Sequence, residues 1–83
     1  MENLICGIDL HKKFSVICLM NTNGEILDQK RLSHQGGGFE NYFRELKPAR
    51  CIVEPVEHWG WAVDSLEEMG HQVHIGDGGT KIS

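Results

Sequence analysis

The fold is decided by a short apolar stretch near the N-terminus, Leu4-Ile5-Cys6-Gly7-Ile8-Asp9-Leu10. It is too short for an ordinary helix, and apolar residues fall on both of its alternating faces. This pattern is typical of a central strand that is buried on both sides. Asp9 is the exception, because it introduces a carboxylate where the strand should lie in the core. We therefore expect a central strand with a chemically significant acid near its end.

Two further strands are predicted directly after the first. Residues 14–20 form a second apolar run rich in β-forming side chains, and the pair Asn23-Gly24 that follows favours a tight hairpin turn. Residues 25–32 mix polar and apolar side chains, as a strand nearer the edge of a sheet would. Short connections between the three strands predict an antiparallel meander.

The hydrophobic period changes after the third strand. Residues 33–38 are predicted to be a flexible break rich in glycine. An apolar stripe at helical spacing follows, formed by Phe39, Tyr42, Phe43 and Leu46. It predicts an amphipathic helix that ends before Pro48. We interpret these aromatic residues as core residues and not as a surface on which bases stack.

The rest of the chain predicts a strand, a helix and a strand. Residues 49–54 read as a buried strand that Glu54 closes, and residues 76–83 read as a loop. Gly70 is well placed to cap the second helix before a short strand at residues 72–75. The apolar stripe of that helix consists of Trp59, Ala62, Val63 and Leu66.

The predicted element order is β-β-β-α-β-α-β. Crossovers between parallel strands are right-handed, so the two helical connections should carry the fourth and fifth strands outward from the first. The most economical result is an α/β fold with a mixed sheet in the order 3-2-1-4-5, whose second strand is antiparallel to the rest. This is the RNase H-like arrangement.

Composition narrows the class of protein. The 83 residues make one small domain, and 40% hydrophobic with 24% charged residues argues against disorder. No apolar run reaches the roughly 18 residues that suggest a membrane span, and the N-terminus lacks signal-peptide features. We therefore expect a cytoplasmic protein with no membrane partner. The net charge of −4 argues against the basic surface that captures DNA, but it is compatible with a metal centre built from carboxylates.

The three cysteines are predicted to be structural. Cys6, Cys18 and Cys51 lie inside apolar runs, their number is odd, and they form no CxxC pair. This usage fits neither a disulfide framework nor a zinc site. We expect all three to be buried, reduced core residues.

Asp9 and Glu54 are the candidate catalytic and metal-binding residues. In the predicted sheet they lie at the carboxyl ends of neighbouring parallel strands, which are about 4.8 Å apart. This is where α/β sheets form ligand crevices. Two buried carboxylates at that distance repel each other unless a divalent cation neutralises them. We therefore predict metal-assisted phosphoryl transfer with Mg²⁺ or Mn²⁺. The alternative is that one carboxylate only caps a turn or a helix end.

Two blocks of the sequence resemble a known family. Gly7-Ile8-Asp9-Leu10-His11-Lys12-Lys13 resembles the opening "GID-x-x-K" strand of the DEDD-type insertion-sequence transposases, which include Piv-like DNA invertases and have RuvC-like catalytic domains. Val53-Glu54, His58-Trp59-Gly60-Trp61 and residues 70–74 are similar to that family's second block. The resemblance implies that residues 1–83 are the N-terminal portion of an RNase H-like transposase catalytic domain. It also implies that Asp9 and Glu54 are the first two of four metal-binding acids.

The departures from the family pattern limit what we expect of this chain. The two later acids of the family lie C-terminal to the matched blocks, and Pro55-Val56-Glu57 replaces small residues after the glutamate. We therefore expect weak Mg²⁺ binding and no transposase activity from the chain alone. DNA is the expected partner of the full-length parent, and Lys12, Lys13 and His58 are the candidate DNA contacts. The five histidines show no spacing typical of a zinc site.

Two alternatives remain open. One is a non-catalytic relic or interaction module that keeps the RNase H-like fold. The other is a fragment of an actin-like ATPase or sugar kinase. Those proteins resemble one another in having Gly, Ser or Thr after the aspartate, whereas this chain has His11-Lys12-Lys13 there.

The expected topology also predicts an oligomer. Two right-handed crossovers in the same direction place both helices on one face of the sheet, which leaves an apolar face uncovered. Bare patches of more than a few hundred Å² are rare on monomers, so we expect a homodimer through that face.

Overall fold

A computed structural model of the protein describes residues 3–54 and 60–76. The order of the elements agrees with the order predicted from the sequence. The elements are β1 (Leu4–Leu10), β2 (Phe14–Asn21), β3 (Ile26–Ser33), a 3₁₀ turn (Gln35–Gly37), α1 (Gly38–Glu45), β4 (Arg50–Val53), α2 (Gly60–Glu68) and β5 (Gln72–Ile75).

The five strands form one mixed sheet in the order β3-β2-β1-β4-β5. β2 is antiparallel to β1 and to β3, whereas β1, β4 and β5 run parallel. The predicted α/β class and strand order are therefore confirmed. Neither helix among the described residues is long and apolar enough to cross a membrane.

The hairpin between β2 and β3 forms where the Asn-Gly pair predicts it. The side-chain oxygen of Asn21 accepts hydrogen bonds from the backbone amides of Asn23 (2.9 Å) and Glu25 (3.0 Å). Gly24 has a φ of 86°, a left-handed conformation that glycine adopts without steric cost. The turn is thus fixed by one short polar side chain and one glycine.

The glycine-rich segment after β3 contains more regular structure than the sequence suggests. We expected a flexible break over residues 33–38, but Gln35–Gly37 form a 3₁₀ turn that leads directly into α1. Gly36 and Gly37 have φ values of 77° and 78°, and a Cβ atom on Gly38 would lie 2.9 Å from the carbonyl oxygen of Ser33. The glycines therefore permit a tight turn, and the prediction of an irregular break over these residues is wrong.

Both helices cover the same face of the sheet. Phe39 and Phe43 of α1, with Ala62 and Leu66 of α2, are fully buried in one cluster with the inward side chains of the strands. The interpretation of the α1 aromatic residues as core is confirmed for these two phenylalanines. Tyr42 is half-buried and donates a hydrogen bond to Asp28 (2.9 Å). Partial burial, together with this bond to Asp28, raises the pKa of the Tyr42 hydroxyl.

No described element covers the opposite face of the sheet, which we call the open face. Its apolar side chains come from the three central strands: Ile5, Val16, Cys18, Met20 and Ile52. Val16 is 41% exposed and Ile52 is 38% exposed, and a Cβ atom on Gly7 would meet nothing within 4 Å. β1 is therefore covered by helices on one side only. Cys18 is half-buried on the open face, so the prediction that all three cysteines are buried holds only for Cys6 and Cys51.

His71 is a structural histidine that joins α1 to the central sheet. Its Nδ1 accepts a hydrogen bond from the amide of Ala49 (3.1 Å), and its Nε2 donates to the carbonyl of Phe43 (2.8 Å). An acceptor at Nδ1 and a donor at Nε2 define a neutral imidazole with its proton on Nε2. His71 is buried, whereas His74 is exposed on β5.

Substitution His71→Ala is expected to lower the free energy of unfolding by about 2–4 kcal/mol. It leaves one amide and one carbonyl without partners in the interior, and each such group costs about 1–3 kcal/mol. Urea unfolding followed by circular dichroism measures the change. His74→Ala is the matched control and should alter stability by less than about 0.5 kcal/mol. Equal losses in the two variants would contradict the structural role of His71.

Candidate active site

Asp9 and Glu54 lie side by side at the carboxyl ends of the central parallel strands. The last pair in the β1–β4 register is Ile8 with Val53, so the next residue on each strand is one of the two acids. Both acids line one shallow depression of about 630 Å³ on the open face. Neighbouring strands are separated by about 4.8 Å. The structure therefore brings together the two acids that the sequence selects.

Both carboxylates are accessible to solvent. The side chain of Asp9 is 57% exposed, and Glu54 is exposed as well. The expectation that Asp9 enters the core is wrong, because Asp9 alternates onto the open face while Ile8 and Leu10 point toward the helices. A cation is therefore not required to compensate for burial. Two arguments for a cation remain. Two adjacent carboxylates repel each other, and their oxygens are the ligands that Mg²⁺ prefers.

His11 is held against Asp9. Its Nε2 donates to Oδ2 of Asp9 at 3.1 Å, and its ring stacks on Phe14 with a centroid separation of 4.5 Å and an interplanar angle of 16°. The amide of His11 also donates to the carbonyl of Phe14 (2.8 Å). Sequence reasoning gave His11 no role at the site. Its spacing of two residues from Asp9 was a usable signal, because side chains two residues apart on a strand share a face.

Arg31 reaches the same depression from the far strand of the meander. Val16 pairs with Asp9 on one side and with Arg31 on the other, so these three residues form one row across the open face. The guanidinium carbon of Arg31 lies 3.8 Å from the centroid of the Phe14 ring. Arg31 lines the depression together with Asp9 and Glu54. No pattern in the sequence singles out Arg31.

The predicted DNA contacts lie partly outside this depression. Lys12 and Lys13 are exposed in the turn between β1 and β2, next to His11, but they do not line the depression. The carbonyl of Lys13 accepts a hydrogen bond from the amide of His34 (2.9 Å), which fixes the turn and leaves the lysine side chain outside it. His58 lies outside the described residues, as does Trp59.

The donor set fits a hard, hydrated cation better than a transition metal. Within residues 3–54 and 60–76, no three His, Cys, Asp or Glu side chains converge on a common point. Two exposed carboxylates suit Mg²⁺, which keeps several waters and prefers oxygen ligands. The thiols of Cys6 and Cys51 lie on the helix-covered face. Both are completely buried in the apolar core, so they are not available as ligands at the depression.

A serine–histidine pair on the helix-covered side does not form a nucleophilic site. Ser15 Oγ and His34 Nε2 share a hydrogen bond of 2.7 Å, and the His34 ring packs edge-on against Trp61 at 4.8 Å. Ser15 is fully buried, so no substrate can reach its hydroxyl. No carboxylate among the described residues bonds to His34 to orient it. The pair therefore anchors the turn before α1 to β2.

Comparison of the chain with models of known protein families gave no match, and comparison with curated proteins found no significantly similar sequence. The fold and the site therefore define the class of protein in structural terms alone. It is an α/β protein with a mixed sheet in the order β3-β2-β1-β4-β5. Two adjacent carboxylates lie at the carboxyl ends of its central parallel strands.

Proposed function

We propose that this chain is the N-terminal portion of an RNase H-like, RuvC-like catalytic domain of a DEDD-type transposase, a cytoplasmic protein that acts on DNA. The proposal rests on one observation above all, the adjacency of Asp9 and Glu54 on neighbouring parallel strands of a sheet with the order 3-2-1-4-5. The strand order places the two acids side by side, and the two sequence blocks that resemble this family contain the same two acids.

In this proposal Asp9 and Glu54 hold a divalent cation, Mg²⁺ or Mn²⁺, on the open face. A cation bound there supplies charge stabilisation for a phosphoryl oxygen and lowers the pKa of its water ligand. The neighbouring side chains orient the carboxylate of Asp9. His11 donates to Asp9 and is itself stacked on Phe14, so the carboxylate is held at the carboxyl end of β1 with one oxygen engaged.

DNA binding by this chain alone is expected to be weak. The net charge of −4 opposes capture of a polyanion, and affinity for nucleic acid depends mainly on cation–phosphate contacts. Lys12 and Lys13 follow Asp9 by three and four residues and are exposed, so they are candidates for contacts to phosphates near the site. His58 remains a prediction of the same kind.

Titration of Mn²⁺, followed by the relaxation of water protons, tests the metal site. Asp9→Asn and Glu54→Gln are each expected to weaken binding about tenfold, which corresponds to about 1.4 kcal/mol. Each variant removes one anionic oxygen ligand and keeps the shape of the side chain. Asp64→Asn is the matched control, because Asp64 is an exposed acid on α2 and should leave the titration unchanged. Binding that is insensitive to Asp9→Asn would contradict the site.

A second candidate function, a non-catalytic interaction module, is favoured by the open face itself. We propose that the occupant of this face is a second copy of the chain, which would make the protein a homodimer. The apolar residues Ile5, Met20 and Ile52 lie further from the carboxyl end than the row of Asp9 and Glu54. Ile52 also lines the depression that holds the two acids, so a partner packed on it would compete with a substrate for this part of the open face.

The free energy for this association comes from apolar burial. Removal of exposed apolar surface from water gains roughly 25 cal/mol per Å². Gly7 has no side chain, and a Cβ atom at this position of the open face would meet nothing within 4 Å. Such a surface can pack closely against its own copy around a two-fold axis.

A further inference from the structure

We infer that Arg31 is the phosphate-binding residue of the Asp9–Glu54 site, and that Phe14 and His11 hold it in register with the acids. The inference rests on the proposed function and deepens it, since it identifies the substrate group as a phosphodiester of a DNA strand lying across the open face from β3 toward β4.

The position of Arg31 follows from the strand register. Val16 on β2 pairs with Asp9 on β1 and with Arg31 on β3, and paired residues of a sheet point to the same face. Arg31 and Asp9 are thus separated by one residue in a row across the sheet. The row continues past Asp9 to Glu54, which follows the last β1–β4 pair. It carries positive charge at one end and two negative charges near the other.

A β-bulge determines that Arg31 occupies this row. Leu19 pairs with Asp28 but Met20 pairs with Ile26, so Leu27 is an extra residue without a partner in the ladder. Without the bulge, the register from the hairpin would place Lys30 opposite Val16. A shift of one residue reverses the face of every side chain that follows. The bulge therefore turns the arginine to the open face.

Phe14 orients the guanidinium group. Its ring lies 3.8 Å from the guanidinium carbon of Arg31 and stacks with His11 at 4.5 Å. A cation held over a ring loses rotational freedom but keeps its N–H edges available. Those edges match two oxygens of a phosphate. The chain of contacts from Arg31 through Phe14 and His11 ends at the carboxylate of Asp9.

Charge supports the same assignment. The only ion pair among the described side chains joins His11 to Asp9, so Arg31 is not neutralised by any described acid within salt-bridge distance. Asp9 and Glu54 would hold a cation near one non-bridging oxygen of a phosphodiester. The other non-bridging oxygen would then point toward β3. An exposed arginine there neutralises the remaining charge on that side.

Binding of a fluorescein-labelled single-stranded oligonucleotide in Mn²⁺, measured by anisotropy over a range of salt concentrations, tests the assignment. Arg31→Gln is expected to lower the affinity about tenfold. It should also reduce the slope of log affinity against log salt by about 0.7, the value for one lost phosphate contact on a single strand. Arg31→Lys should restore the slope and only part of the affinity. Phe14→Leu should lower the affinity about threefold with little change in slope.

Arg44→Gln is the matched control, because Arg44 is an exposed arginine on α1, on the helix-covered side. It should change the affinity less than about twofold. Equal losses for Arg31→Gln and Arg44→Gln would overturn the assignment, as would a wild-type chain that does not bind the oligonucleotide in Mn²⁺. If Mn²⁺ binding still depends on Asp9 in those cases, the metal site stands without Arg31. If Mn²⁺ binding does not depend on Asp9, both proposals fall together.

Discussion

Phe43→Ala is expected to lower the free energy of unfolding by about 3–5 kcal/mol, the range typical of a phenylalanine truncated in a packed core. Phe43 is fully buried, and its ring packs against Phe39 at 4.8 Å and against His71 at 5.7 Å. A domain of this length has roughly 4–12 kcal/mol of stability in total. The variant should therefore lose a large share of it, which urea unfolding measures directly.

The control for this prediction is Ile26→Ala. Ile26 is an exposed residue at the start of β3, so its truncation should cost less than about 1 kcal/mol. A loss below about 1.5 kcal/mol for Phe43→Ala would mean that the site refills or that the α1 face is loosely packed. Either result would contradict a core built around the two phenylalanines.

Ile52→Lys is expected to convert a homodimer into a monomer. Ile52 lies near the middle of the open face, where a lysine ammonium would be desolvated against a second copy of the chain. We expect the dissociation constant to rise at least about 100-fold, which corresponds to about 2.8 kcal/mol. Sedimentation equilibrium at micromolar concentration measures the change.

Ile75→Lys provides a closely matched control. Ile75 is 42% exposed, close to the 38% of Ile52, but it pairs with Val53 and so lies on the helix-covered side of the edge strand. It should leave the dissociation constant within about threefold of the wild-type value. A wild-type protein that sediments as a monomer over the same range would show that the open face is not a self-association surface.

The general architecture was accessible from the sequence because it depends on local patterns and a strong chirality rule. The change of period at Phe39 identified α1, and the Asn23-Gly24 pair identified the hairpin. Right-handed crossovers then left few arrangements other than β3-β2-β1-β4-β5. The same reasoning placed Asp9 next to Glu54, since both end parallel neighbouring strands.

The rest of the site depends on features that a single sequence does not reveal. The bulge at Leu27 decides which residue of β3 lies in the same row as Asp9, and no residue type marks the bulge in advance. Asp9 is exposed because none of the described helices or strands covers the open face, and the apolar sequence of β1 does not reveal this. The role of His71 arises from a carbonyl and an amide distant in sequence. Each is a tertiary property.

The three cysteines differ in burial, so their thiols should differ in reactivity. Cys18 is half-buried on the open face, whereas Cys6 and Cys51 are completely buried and pair across the two central parallel strands. An alkylating reagent should modify Cys18 directly, at a rate that slows when the open face is covered. The other two thiols become reactive only when β1 and β4 separate, which requires the centre of the sheet to open. Labelling kinetics at the three positions would thus report assembly and global unfolding separately, without any introduced probe.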